Sequence, residues 1–293
     1  MFIQSFIQLL PILVLTLGGY LMDKIYPIDE KLLVKLISDF FMPLLIFHSL
    51  YFSDLQSSLI FNITGATTLV VALSTLVSYL YAKITRIDMR GFMPANIFMN
   101  SGFLGIPLMK LWGGVAAMNL IVIFDQVQTI YIFTLGILII TGGLSTKSIK
   151  TMLLSPILWS IFLGAFVLIF KIKLPQPILT TCEFGGSAAP PMAAFALGVS
   201  LSSTKVHVNR HVLAGIFIRI VGGFAFGYLG ATLFGLEGLG KTVVIVASSL
   251  PAAVFTSVLP LRYGVHSEFA PSIVIVSTIL GIFTIPLAFM FAV

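Results

Sequence analysis

The sequence predicts an all-α polytopic membrane protein: ten transmembrane helices forming two inverted five-helix repeats, with helices 4 and 9 broken where they cross. Three observations lead there. Of 293 residues, 58% are hydrophobic and only 9% charged, and the mean hydropathy is +1.12, whereas a soluble domain needs about a quarter of its residues charged. The apolar residues fall into ten stretches separated by short polar breaks. Finally, the two halves echo one another.

A bilayer-spanning helix takes ~20 residues. The ten stretches lie near 5–22, 31–52, 59–83, 91–112, 115–143, 151–171, 176–201, 207–234, 240–261 and 266–293, which leaves no length for a separate water-soluble domain. The first has no Lys or Arg before its apolar run and no small-residue cleavage pattern after it, so it reads as a retained span, not a signal peptide. Cys182 is the single cysteine, which excludes an intrachain disulfide or a multi-cysteine metal site; no cofactor is expected. The cations lie singly between apolar runs, which excludes a nucleic-acid stripe.

Those cations set the orientation, because positive loops stay in the cytoplasm. Lys24, Lys31, Lys35, Lys83, Arg86, Arg90, Lys147, Lys150, Lys205, Arg210 and Arg262 share one side. Lys110, Lys171, Lys173 and Lys241 share the other. The bias places the loop with Lys147 and Lys150 inside and both termini outside a cell membrane.

The internal echo runs in chain order. Leu10 to Leu13 followed by Gly18 resembles Ser155 to Leu158 followed by Gly164, and Pro43 to Phe47 resembles Pro191 to Phe195. MNSGFLGIP at 99–107 occupies the place of SLPAAVFTSVLP at 249–260. The expected units are therefore 1–143, a linker at 144–150, and 151–293. Five spans is an odd number, so the second unit enters the membrane from the opposite face.

Interrupted helices in corresponding places of inverted repeats mark a transporter's binding site. Helical backbone in lipid satisfies itself, and a break survives only where protein or a wet cavity supplies partners. Met99, Asn100, Ser101, Gly102, Gly105 and Pro107 in span four, with Ser248, Ser249, Pro251, Ala252 and Pro260 in span nine, carry these breaks. Pro251 also removes a backbone donor. If both spans unwind at one depth they cross, and two half-helix N-termini offer free N–H groups to an anion. The bland alternative is a pair of simple kinks.

These stretches resemble the auxin efflux carrier family of plant auxin carriers and bacterial organic-acid carriers. The resemblance covers the chain in order: Pro43 to His48, Asn100 to Leu108, Ala196 to Ser200, Arg219, Ser249 to Pro251, Tyr263 to His266, and Ile285 to Leu287. It implies an X-shaped crossing of spans four and nine, a fold similar to that of sodium/bile-acid symporters, and elevator-type secondary transport of small organic anions. It also implies substrate contacts at Asn100, Ser101, Gly102, Ser249, Pro251, Ala252 and Tyr51. Met99 stands where the plant carriers have a crossing proline, Ala252 where they have a Gln, and Tyr51 where they have a substrate-holding serine. These departures argue against auxin itself.

Ionisable residues inside spans are expensive and mark function. Asp125, amid Gln126, Gln128 and Thr129, is the proton-coupling candidate; the competing reading is a structural carboxylate paired with Arg219. Arg219 itself reads as structural, through Asp125 or Glu183, or as an anion lure. His48 reads as hydrogen-bonded core, Asp39 and Glu183 as interfacial, and His207, His211 and His266 as solvated. Sodium coupling is the alternative mechanism, but no acid lies between Thr242 and Leu261, and a hard cation needs several oxygens. An intramembrane enzyme lacks its motifs, and a channel or sensor lacks a filter or output domain. The partners expected are a small organic anion, a proton, the lipid bilayer and a second copy of the chain.

Overall fold

The computed structural model describes residues 2–52, 57–143, 146, 150, 153–154, 156–203, 206–265 and 267–292. The fold is 84% helical. Among the described residues, the only β-type pairing is an isolated antiparallel bridge between Met99 and Ala252.

Among the described residues, these helical segments follow the chain. They are α1 (Phe2–Ile25), α2 (Glu30–Tyr51), α3 (Ser57–Thr85), α4 (Met89–Ile97), α5 (Ser101–Thr141), α6 (Pro156–Ile169), α7 (Gln176–Gly186), α8 (Ala189–Ser203), α9 (Arg210–Leu233), α10 (Gly238–Ser248), α11 (Phe255–Arg262) and α12 (Phe269–Ala292). Among the described residues, five stretches are long and apolar enough to cross a bilayer: Glu30–Tyr51, Arg210–Leu233, Phe269–Ala292, most of α3 and all of α5. The stretch predicted at 176–201 is not continuous, because α7 ends at Gly186 and a turn at Ser187–Ala188 precedes α8. Of the 144–150 linker, only 146 and 150 lie within the described residues.

Polarity runs inside out. Phe61, Phe162 and Phe184 stand mostly exposed, while Thr67, Asn96, Ser101, Arg219, Ser248 and Ser277 are fully buried. Lipid accepts the aromatic surface, so polar groups retreat to protein partners. Helix starts are capped where Asp29 accepts from the amides of Lys31 and Leu32, Asp88 from Arg90, and Asn209 from His211 and Val212. Beyond Ile37–Phe41 in α2, π turns interrupt α5 at Ser101–Gly105 and Ile132–Gly136 and α9 at Ile218–Gly222. Inside α5 the chain also turns sharply at Gly113 and Gly114, where φ is +66° at Gly114. That left-handed value suits glycine alone, and it falls between the two apolar stretches predicted there.

Lipid tails are as apolar as leucine, so close helix contact in a membrane relies on small residues. α1 and α8 meet this way. A Cβ at Gly19 would sit 2.0 Å from the Phe195 carbonyl oxygen, and one at Gly198 would sit 1.8 Å from the Thr16 carbonyl oxygen. Thr16 donates across the contact to Ala194 O at 3.1 Å. α2 packs against α6 and α7. Elsewhere α3 packs on α4, α5 and α9, α4 on α12, and α10 on α5 and α9. Replacing Gly198 with Leu should therefore push two backbones apart and cost about 3 kcal/mol, read as a lower thermal-unfolding midpoint of the purified protein.

Candidate functional site

The centre of the molecule is built from two helices that stop. α4 ends at Ile97, and Phe98 takes an extended conformation (φ −104°, ψ 124°). The chain returns to helix at Ser101, with Asn100 O accepting from the amides of Leu104 and Gly105. α10 ends at Ser248, because Pro251 cannot donate a ladder bond and its ring disfavours helix at Leu250; α11 begins at Phe255. The interruptions thus fall where the polar and proline stretches predict them. Pro107 and Pro260 are not in them. Pro107 lies within α5 just after the π turn, where its missing N–H falls inside a continuing helix, and Pro260 lies inside α11.

Unravelled main chain in an apolar slab has no water to bond, so the two breaks bond each other. The Asn100 amide donates to Pro251 O at 2.8 Å and the Ala253 amide to Phe98 O at 3.0 Å. Side chains complete the set. Gln128 accepts from the Met99 amide at 2.9 Å and donates to Met99 O at 2.6 Å, and Ser277 Oγ accepts from the Ala252 amide at 3.1 Å.

Arg219 closes the remaining gap. Its Nη1 donates to Asn96 O at 2.7 Å and to Ile97 O at 3.0 Å, and its Nη2 donates to Ser248 O at 2.5 Å. One fully buried guanidinium thereby caps the carbonyl ends of both α4 and α10, where two helix dipoles are negative. Gly223 makes room for it, since a Cβ there would lie 2.4 Å from Nη2 and 2.1 Å from Ser248 O. The sequence expectation that Arg219 pairs with Asp125 or Glu183 is corrected: its partners are backbone carbonyls, and Glu183 is exposed.

Beside the crossing, on the side of the two restarting helices, lies a cavity of about 40 Å³. Asn100, Gly102, Asp125, Gln128 and Thr129 give it polar walls, and Met42, Ile46, Phe103, Phe133 and Phe255 close it. Asp125 Oδ1 accepts from Ser101 Oγ at 2.7 Å, and Ser101 Oγ accepts from Gln128 Nε2 at 2.8 Å. Asn100 is 3% exposed, and its Nδ2 has no hydrogen-bond partner. An unmet donor buried like this is costly and calls for an explanation. The amides of Gly102 and Phe103, at the start of α5, and of Val254 and Phe255, at the start of α11, likewise have no backbone acceptor among the described residues.

Other singled-out residues are placed differently. Ser249 turns back on its own helix, donating to Ile245 O at 2.6 Å. Pro251, Ala252 and Met99 supply crossing backbone. Gln126 is buried with both amide atoms unpaired but does not line the cavity. Tyr51 lies away from the cavity and accepts from the Leu174 amide at 3.3 Å. His48 is half-buried against the Phe52 ring. His211 is not simply solvated: its Nδ1 is 3.1 Å from the Tyr81 hydroxyl, and its ring packs on Phe269. His207 is exposed, and His266 lies outside the described residues. Sequence reasoning missed Ser277 because its role is a bond to distant main chain, and Asn96 because it offers Arg219 only its carbonyl while its side chain donates to Phe92 O one turn back. The role of Gln128 was available from its three-residue spacing from Asp125, which shares a helix face.

Comparison with known proteins covers nearly the whole chain. A family model described as "Membrane transport protein" matches residues 4–289. A protein of Methanothermobacter thermautotrophicus named "Uncharacterized transporter" is 28% identical over 98% of both chains. A second such transporter, from Methanocaldococcus jannaschii, is 27% identical over 67% of this chain and 66% of its own. A Rhizobium meliloti protein named "Putative malonate transporter" is 23% identical over 78% of this chain and 75% of its own.

Arg219→Met should strand three buried carbonyls at roughly 1–3 kcal/mol each. The expected outcome is collapse of the monodisperse folded yield in detergent, with Arg219→Lys recovering only part of it because an ammonium lacks the planar fork.

Proposed function

The chain belongs to the membrane transport protein family, the family of the auxin efflux carriers, and from that premise we propose that it is a secondary transporter of small organic anions, carboxylates above all. Membership makes it a membrane transporter and not an enzyme. The observation that carries the anion reading is the buried, unpartnered Nδ2 of Asn100, a residue that lines a cavity where two helices begin. Helix starts present partial positive charge and free amides, so a carboxylate placed there meets one side-chain donor and two dipole ends. The name of the Rhizobium relative agrees with a small dicarboxylate.

The cavity has room for only a few waters, so substrate entry requires movement around it. Elevator-type motion is part of this reading: α1 packs with α8, and α2 with α6 and α7, while α1 also meets α5 and α12 and α8 also meets α5, the contacts that would have to slide. The packing supports the ten-span inverted repeat. The first span packs on the seventh through α1 and α8, and the second on the sixth through α2 and α6, which is the same relation with the halves exchanged. The third meets the eighth through α3 and α9, and the broken spans meet each other. The cation bias supports both termini outside.

Asp125 is the proton site in this reading. It lies 4% exposed at the cavity wall, and a carboxylate there would repel an incoming anion, whereas the protonated acid would not. Binding a proton also offsets the ~2.3 kcal/mol per charge that a 100 mV negative interior imposes on anion entry.

The test is thermal stabilisation of purified protein by malonate and other mono- and dicarboxylates at two pH values. At a ligand concentration of 100 Kd, stabilisation of about 2.7 kcal/mol is expected. Asn100→Ala should remove that stabilisation while leaving folded yield intact; equal loss of both would make Asn100 structural. In proteoliposomes, uptake should rise as the external pH falls, and Asp125→Asn should flatten that rise. A mutant that kept the wild-type pH profile would exclude Asp125 as the coupling group.

A further inference from the structure

A second hollow lies on the outside of the bundle, about 410 Å³ in volume, between α3 and the part of α5 that passes through Tyr131. Its floor and walls are Val71, Ala72, Leu76 and Leu135, with Thr68, Thr75, Tyr79 and Tyr131 along it. The hydroxyls of Thr75 and Tyr131 are turned to protein: Thr75 donates to Val71 O at 2.7 Å, and Tyr131 donates to Thr68 Oγ1 at 3.2 Å. What the groove offers to its surroundings is therefore hydrocarbon.

Its length and its two ends differ in an informative way. From Thr68 to Tyr79 the groove follows eleven residues of helix, ~17 Å at 1.5 Å per residue. That is about half of a ~30 Å hydrocarbon core, the depth of one leaflet. One helical turn past Tyr79 stands Lys83, exposed, with its Nζ 5.5 Å from the centre of the Tyr79 ring. Arg86 follows in the exposed turn beyond. The far end, at Thr68, carries no charge. An apolar trough one leaflet deep that ends under a lysine matches a molecule with a single hydrocarbon tail in the trough and a negative head at its rim.

We propose that this groove binds one acyl chain of an anionic phospholipid, with the headgroup phosphate held by Lys83. Nothing in the substrate site takes part, so the proposal stands whether or not the transported anion is a carboxylate.

The experiment uses the full chain, purified and exchanged into nanodiscs or mild detergent with phosphatidylglycerol or phosphatidylcholine of equal chain length. Retained lipid is counted by native mass spectrometry. A lysine at an anionic surface favours binding about fivefold, so wild-type protein should retain phosphatidylglycerol over phosphatidylcholine by that factor, and Lys83→Glu should abolish the preference. Ala72→Trp should fill the trough and reduce retention of both lipids, whereas Leu80→Trp, exposed on the same helix outside the groove, should not. An undiminished preference in Lys83→Glu overturns the headgroup assignment, which stands on a surface variant expected to fold. Unchanged retention in Ala72→Trp overturns the acyl-chain assignment. Conversion of a dimer to a monomer by Ala72→Trp would give the groove to a second copy of the chain and also overturn the proposal.

Discussion

The architecture turns on the need to satisfy main-chain polar groups where no water can reach them. Two helices stop in the middle of an apolar bundle, and each stop frees carbonyls at one end and amides at the other. The carbonyl ends of α4 and α10 converge on a single guanidinium, that of Arg219. Among the described residues no carboxylate serves it; partial negative charges of two helix ends do. This explains how a full positive charge stays buried without the ion pair such a charge usually requires.

Capping one pair of ends makes the crossing electrically one-sided. The carbonyl ends are consumed by protein, and the extended residues between them are consumed by each other and by Gln128 and Ser277. Only the amide ends remain open, and the cavity, Asn100 and Asp125 lie on that side. The same chain of bonds that stabilises the break runs from Gln128 through Ser101 to Asp125. A change in the charge of Asp125 is thus felt one hydrogen bond away from the crossing.

Much of this was legible in the sequence, and the limits have physical causes. The location of both breaks could be read because Asn, Ser, Gly and Pro cluster at corresponding places in the two halves of the sequence. Pro107 and Pro260 were misleading because proline is also tolerated within spans, as in α5 and α11, and only the backbone distinguishes a tolerated proline from a break. Arg219 stood out as an intramembrane charge, yet its partners were unreadable because carbonyls carry no letter. Asp125 was identified by its depth, whereas the turn at Ser187–Ala188 was not, since the serine and small residues there are common within spans. Tyr51 was placed by alignment with the plant carriers, and its hydroxyl instead holds the Leu174 amide at a helix end.

The exchange of bonds between Phe98–Asn100 and Pro251–Ala253 also bears on how the molecule is made. More than 140 residues separate the two partners, so the gap between α4 and α5 is made before the segments that bond it, α9 and the stretch after α10. Until translation delivers Arg219, Pro251 and Ala253, Gln128 is the side-chain partner the gap has on its own side.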